Sequence, residues 1–526
     1  MDTLQYLGIG MAHIFTLQDF PILVAGLLVG MAVSIMPGLG LVMGVVLALP
    51  FTYRMSIEPS IILLTAIYVS GTYAGCFTAI LYRIPGEPMD VPLLWDGYAM
   101  AQKGQPAKAL GWALVAALTG GLFSSAVMVA LAVPMSRVAL SFGPPDYFAA
   151  VFFGLTTVVA LAGTSIINSF ISLFIGLLVA TVGVDPIFGA YRFTFGSPIL
   201  ENGVPYVMVL VGMYGLGEVF NRLGQGLKLH GQPQQETRVK TDFPSLRELW
   251  SIRRTLVRSS LLGTLLGIVP GAGATVTSFI SYGIEKQYGQ RRERLGTGLP
   301  EGIVAPQVGS TASVAGHMIP LLTLGIPGSG ATAVILAAFL LHGVQPGPML
   351  FTDPASKAVV YTILASLFVG VIGMCLLGFF WIRVVVRVLR IPQGVLSAIV
   401  VLFCIVGAYA NRNSVSDVWV IVVFGVLGYA FEKLRFPISP MVLGAILGPL
   451  AENSYMQTMI SYHNDWTVFF RERLSGTLMV VSILAMFYPL LRHLMQRRKR
   501  ARAIPAEPAL AGGIGDAASD RAGRNG

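Results

Sequence analysis

The stretch Gly325 to Thr332, GIPGSGAT, sets proline, glycine and two hydroxyl side chains into sequence that is otherwise apolar. A helix interrupted there restarts with unpaired backbone N–H groups, and the helix dipole makes that end attractive to anions. Gly328 lets a ligand come close to the backbone, and Ser329 and Thr332 add hydroxyl donors suited to a carboxylate. The same pattern recurs in PGAGAT, where Gly271, Gly273 and Thr275 would act alike. It recurs again in PGLG, from Pro37 and Gly38 to Gly40, and in IPGEP, with Pro85 and Gly86. Carbonyls freed before each restart suit Na+. For any one break, helix kinking or close helix packing is the plainer account. Four breaks, two in each half of the chain, point to a site built from broken helices.

Small polar residues flank two of the breaks. Ser310, Thr311 and Ser313 lie upstream of GIPGSGAT, and Ser70, Thr72 and Tyr73 hold the corresponding place in the first half. Two readings stand for each set: contact with a ligand, or small-residue helix packing. His317 carries the same pair of alternatives, a substrate or proton role against a hydrogen-bonded packing role. The six histidines form no HExxH, and no GxSxG occurs, so the residues give metal and hydrolase chemistry little support. Three cysteines, Cys76, Cys375 and Cys404, all fall in apolar sequence without close spacing, which predicts neither a zinc motif nor a disulfide framework.

The elements that must position these residues are transmembrane helices. The 526 residues are 55% hydrophobic and only 11% charged, with a mean hydropathy of +0.73, where a soluble domain carries roughly 25% charged residues. Apolar runs of about 17 to 25 residues recur, without the alternation of a β-barrel. The expected fold is therefore an all-α polytopic membrane protein, with about ten to twelve segments embedded in membrane lipid. The net charge of +10 comes from basic clusters in short loops and the tail, which predicts cytoplasmic loops and no nucleic-acid partner.

Residues 1–222 read as a first membrane repeat, 223–254 as a basic cytoplasmic linker, 255–495 as a second repeat, and 496–526 as a basic, then disordered, tail. Basic clusters flank 255–285 on both sides and its halves are each too short to cross the bilayer, which predicts a re-entrant hairpin tipped by PGAG, with a single long tilted helix as the alternative. The repeat itself rests on order and spacing. PGLG and PGAG are offset by 233 positions, and the two IPG motifs by 242. Inverted repeats with broken helices meeting near the midplane are a recurrent plan of secondary transporters.

Several ordered motifs then become specific: MPGLG from Met36, DGYAMAQKGQPAKALG from Asp96, FGPPDYFA from Phe142, VPGAGAT from Val269, and PLLTLGIPGSGAT with HGVQPGPMLF from Pro320 to Phe351. With them the chain resembles the large membrane subunit of tripartite tricarboxylate transporters, the TctA family, from about residue 20 to 490. The resemblance implies a bacterial inner-membrane carrier, not an enzyme. It implies two protein partners, a small membrane subunit and a periplasmic solute-binding protein, an organic carboxylate substrate, and Na+ or H+ as coupling ion with no other cofactor. Where many relatives read PEAANNAA, this chain reads Pro306-Gln307-Val308-Gly309-Ser310-Thr311-Ala312-Ser313; where many read YGAQYGGS, Thr72 replaces the glutamine. An integral-membrane enzyme acting on an anionic ligand and a pore or scaffold subunit are the alternative classes.

Overall fold

The computed structural model describes residues 2–36, 39–161, 165–185, 188–224, 242–271, 273–388, 393–484 and 486–487. Pro37, Gly38, most of the expected linker and the tail lie outside them. The described chain is helical apart from its turns and one short antiparallel pair, Gly183–Val184 against Tyr191–Arg192.

Two helices form the centre. Ile57–Ala74 runs on through Cys76–Tyr82, and its apolar window is entirely buried. Pro300–Leu324 is buried from Glu301 to Thr323. Neither meets lipid, which explains why both tolerate serine, threonine and glycine: without a hydrophobic drive between membrane helices, small side chains let backbones approach and gain dispersion contacts.

Each central helix is backed by a broken pair. Asp19–Ile35 and Leu41–Thr52 pack on the first, and Arg253–Ile268 and Gly273–Tyr288 on the second. The second pair folds back on itself. Arg258 forms an ion pair with Glu285, 27 residues on, where a straight helix would separate them by about 40 Å. The register of the two packings is the same. A Cβ at Gly30 would lie 2.4 Å from the Ile67 carbonyl oxygen, and one at Gly263 would lie 2.5 Å from that of Gly309. Positions 30 and 263 differ by 233, and 67 and 309 by 242, the offsets of the sequence motifs. Further along, Gly71 closes on Ser34 as Gly267 closes on Ser313.

The halves interpenetrate. The 34-residue helix Pro106–Ala139 lies chiefly on Pro300–Leu324, while Pro354–Val388 lies on Ile57–Ala74. A second set of helices, Pro144–Leu161, Ile166–Ala180, Gln393–Arg412, Val415–Lys433 and Ile438–Ser461, together with residues 206–224, packs largely within itself. Its contacts to the centre run through the half-helices Leu41–Thr52 and Gly330–Leu341 and the tip at Gly271.

By length and composition four described helices can cross a membrane, or five if the pair Gln5–Ile14 and Asp19–Ile35, bent by 77°, counts as one. That is fewer than the ten to twelve segments expected. Breaks account for part of the difference: apolar runs that hydropathy reads as whole spans are cut into shorter helices, such as Leu41–Thr52 and Gly330–Leu341, each about 18 Å long, while Pro300–Leu324 and Ile438–Ser461 are long enough but less apolar.

Candidate functional site

The four breaks meet in one place. Pro300–Leu324 ends at Gly325, whose φ of +72° only glycine adopts without strain. The N–H of Ile326 reaches back to the Pro320 carbonyl at 3.2 Å, closing the last turn. The chain crosses Pro327 and Gly328 and restarts at Ser329. Ser329 and Thr332 cap the new helix reciprocally: the Ser329 N–H donates to Thr332 Oγ1 at 2.8 Å, and the Thr332 N–H donates to Ser329 Oγ at 3.3 Å. The N–H groups of Gly330 and Ala331 have no carbonyl a turn behind them.

Gly328 is held on two sides. Its carbonyl accepts from the N–H of Gly271 at 3.0 Å, so the PGAG tip touches the GIPGSGAT break. A Cβ at Gly328 would lie 2.7 Å from His317 Cδ2, and one at Gly271, where φ is +83°, would lie 2.6 Å from Val158 Cα. Beyond the tip, Gly273 opens the next helix at a φ of +60° with free space where a Cβ would stand, and Thr275, two residues on, is half-buried.

The first half converges likewise. The N–H of Leu41, just after Gly40, donates to Glu87 Oε1, so the PGLG and IPGEP breaks also touch. Gly86 closes on Gly75 as Gly328 closes on His317, and both pairs are separated by 242 positions. The two break pairs then join, since a Cβ at Gly330 would lie 3.2 Å from Val42. Met89 accepts at its carbonyl from Ser278 Oγ at 2.6 Å, tying the first break to the second hairpin.

A buried polar set crosses this junction. Tyr68 Oη is 2.6 Å from His317 Nδ1 and 3.1 Å from Ser329 Oγ. His317 Nε2 has no hydrogen-bond partner among the described residues. Ten residues earlier on the same helix, Gln307 donates to the Thr72 carbonyl at 3.2 Å and to Thr311 Oγ1 at 3.2 Å, leaving its Oε1 unpartnered. An unmet buried polar atom costs about 1–3 kcal/mol, so a ligand that met either of these two would recover part of that cost.

The other expected residues are placed differently. Ser70 and Thr72 donate to their own helix, at Ala66 and Val69. Ser310 and Thr311 donate back to the Gln307 carbonyl at 3.0 and 2.9 Å. Tyr73 is buried edge-on against Phe77. Tyr68 is the residue that sequence reasoning overlooked; it lies four positions before Thr72 and so shares its helix face.

Comparison with known proteins rests on sequence, since no solved structure matches the chain. A protein of Agrobacterium vitis, described as an uncharacterized 52.8 kDa protein in the TAR-I ttuC' 3' region, is 32% identical over 507 residues, covering 95% of this chain and 99% of its own. A second from the same organism, described as an uncharacterized protein in the TAR-II ttuC' 3' region, is 34% identical over 236 residues, 45% of this chain and 97% of its own. Residues 20–443 match a family model across most of the chain. The protein belongs to the tripartite tricarboxylate transporter TctA family.

Proposed function

We propose that this chain is the carrier subunit of a secondary-active uptake system, moving an organic carboxylate inward across the bacterial inner membrane. A periplasmic solute-binding protein delivers the substrate, a small membrane subunit completes the complex, and a Na+ or H+ gradient drives the cycle. The observation that carries this reading is the convergence of the four breaks on one buried junction.

The substrate carboxylate binds at the starts of Gly273–Tyr288 and Gly330–Leu341, where N–H groups point outward from Gly273, Gly330 and Ala331. Ser329, Thr332 and Thr275 supply hydroxyls, and Gly271 and Gly328 keep the backbone accessible. Thr311 acts through Gln307, whose side-chain amide it accepts from and so helps to orient, and Ser310 lies beside it on the same helix. In the first half, Gly40, Pro85 and Gly86, with Pro37 and Gly38 beside them in sequence, form the coupling-ion or pathway side.

Two inverted repeats are part of the same proposal. The shared offsets of the packing contacts support the repeat. Inversion draws support from the way the central helices cross: Tyr68 and Thr72 rise along one, while their partners His317 and Gln307 fall along the other.

Uptake of labelled di- and tricarboxylates into proteoliposomes holding both membrane subunits tests the function. The expected result is accumulation that needs both the binding protein and an imposed ion gradient. Accumulation with neither would point to a pore instead.

A further inference from the structure

Away from the breaks, a cavity of about 680 Å³ opens between the first half and the second hairpin. Arg83, Trp95, Tyr98, Phe279, Tyr282 and Lys286 line it. Arg83 caps the end of Cys76–Tyr82 in the left-handed conformation, with φ of 58°, and lies 5.6 Å from the centre of the Tyr98 ring. Lys286 stands in the last turn of Gly273–Tyr288, followed by the basic residues Arg291, Arg292 and Arg294. The positive-inside rule sets this end at the cytoplasmic surface.

The cavity holds two uncompensated cations. Among the described residues, the nearby Arg258 and Arg291 are paired with Glu285 and Glu301, whereas Arg83 and Lys286 have no carboxyl partner. Asp96, behind the wall, is not available to them. It accepts from Tyr282 Oη at 3.1 Å and from the N–H groups of Gly296, Gly298 and Leu299 at 2.8–3.0 Å. The wall beside the cations is aromatic and open: Trp95 lies 4.6 Å from the Tyr282 ring centre, and Trp95 and Phe279 are 41% and 40% exposed. Cations over an aromatic belt at the membrane surface match a headgroup with acyl chains attached better than a small solvated anion.

We propose that this cavity binds an anionic phospholipid, with the phosphate between Arg83 and Lys286 and the glycerol and acyl carbons along Trp95 and Phe279. The purified full-length chain, delipidated and titrated with phosphatidylglycerol or phosphatidylcholine, tests it by native mass spectrometry. The wild type is expected to retain phosphatidylglycerol preferentially. Each lost cation should weaken that binding about 5-fold, and Arg83→Ala with Lys286→Ala together about 30-fold, with phosphatidylcholine unaffected. Gly283→Leu provides a second variant that keeps both cations. Gly283 lines the cavity and a Cβ there meets nothing within 4 Å, so the added side chain fills the space and should displace the lipid. Unchanged phosphatidylglycerol binding in either folded variant overturns the proposal. So does displacement of the lipid by millimolar inorganic phosphate or citrate, which would assign the cations to a free anion.

Discussion

At the scale of single residues, the junction depends on contacts between groups far apart in sequence. Tyr68 and His317 are 249 positions apart, yet their polar atoms are 2.6 Å from each other. Tyr68→Phe keeps the ring and removes the hydroxyl, leaving both nitrogens of the buried His317 unmet. The expected cost is about 1–3 kcal/mol, read as a lower midpoint in thermal unfolding of the detergent-purified protein. An unchanged midpoint would mean that the tyrosine hydroxyl is dispensable there. Ser329→Leu acts on function. It removes a helix cap worth about 1 kcal/mol and puts a branched side chain against Tyr68 and the helix start. Uptake should be lost while membrane insertion is normal, and normal uptake would take this break out of the site. The serine was legible in the sequence because it follows Pro-Gly within apolar residues. The tyrosine was not, because nothing local distinguishes a site tyrosine at 68 from a packing tyrosine at 73.

At the scale of elements, the glycines decide how closely the pieces meet. Gly328→Ala would set a Cβ 2.7–3.0 Å from His317, including its backbone Cα, and force Gly330–Leu341 away from the central helix. Gly343→Ala is the matched control: φ is +72° and nothing lies within 4 Å, so only local strain of about 1–2 kcal/mol is added. Uptake assays should separate the two, with a large loss for the first and near-normal rates for the second; equal rates would deny the close packing a functional part. Proline and glycine made these breaks visible from sequence alone, and the spacing of the basic residues made the 255–285 hairpin visible. Helix lengths were harder to read. Hydropathy sums across a break, so 305–341 looks like one stretch, whereas the chain forms Pro300–Leu324 and then a separate 12-residue helix.

At the scale of the whole molecule, the exchange of Pro106–Ala139 and Pro354–Val388 between halves argues against two lobes rocking apart, since each long helix is packed on the other half's centre. The thinner boundary lies between that intertwined centre and the outer helices, and the breaks sit on it. A sliding motion there would carry the junction past Pro144–Leu161, where a Cβ at Gly154 would lie 2.8 Å from Ile326 Cγ2 and 4.0 Å from Pro270. Gly154→Cys with Ile326→Cys, in a background lacking Cys76, Cys375 and Cys404, places two thiols within bridging range, where Cβ atoms stand about 3.5–4.5 Å apart. Oxidation should stop uptake and reductant should restore it. Full uptake with the bridge quantitatively formed would rule out relative motion at this boundary. None of this partition was legible in the sequence, because both sets of helices have the same apolar composition and differ only in what they pack against.

The contact between Glu87 and the start of Leu41–Thr52 bears on how many substrate groups the junction can hold. A helix start that would otherwise attract a carboxyl group already has one, attached to the same chain and therefore present at the effective concentration of a tethered ligand, in the millimolar range or above. A soluble carboxylate arriving there competes with a resident that never diffuses away. The two halves, alike in register, are thus unlike in vacancy: the chain's own carboxyl group fills the helix start at Leu41, and under the proposed function the start beside Ser329 is the one left for a substrate to enter and leave.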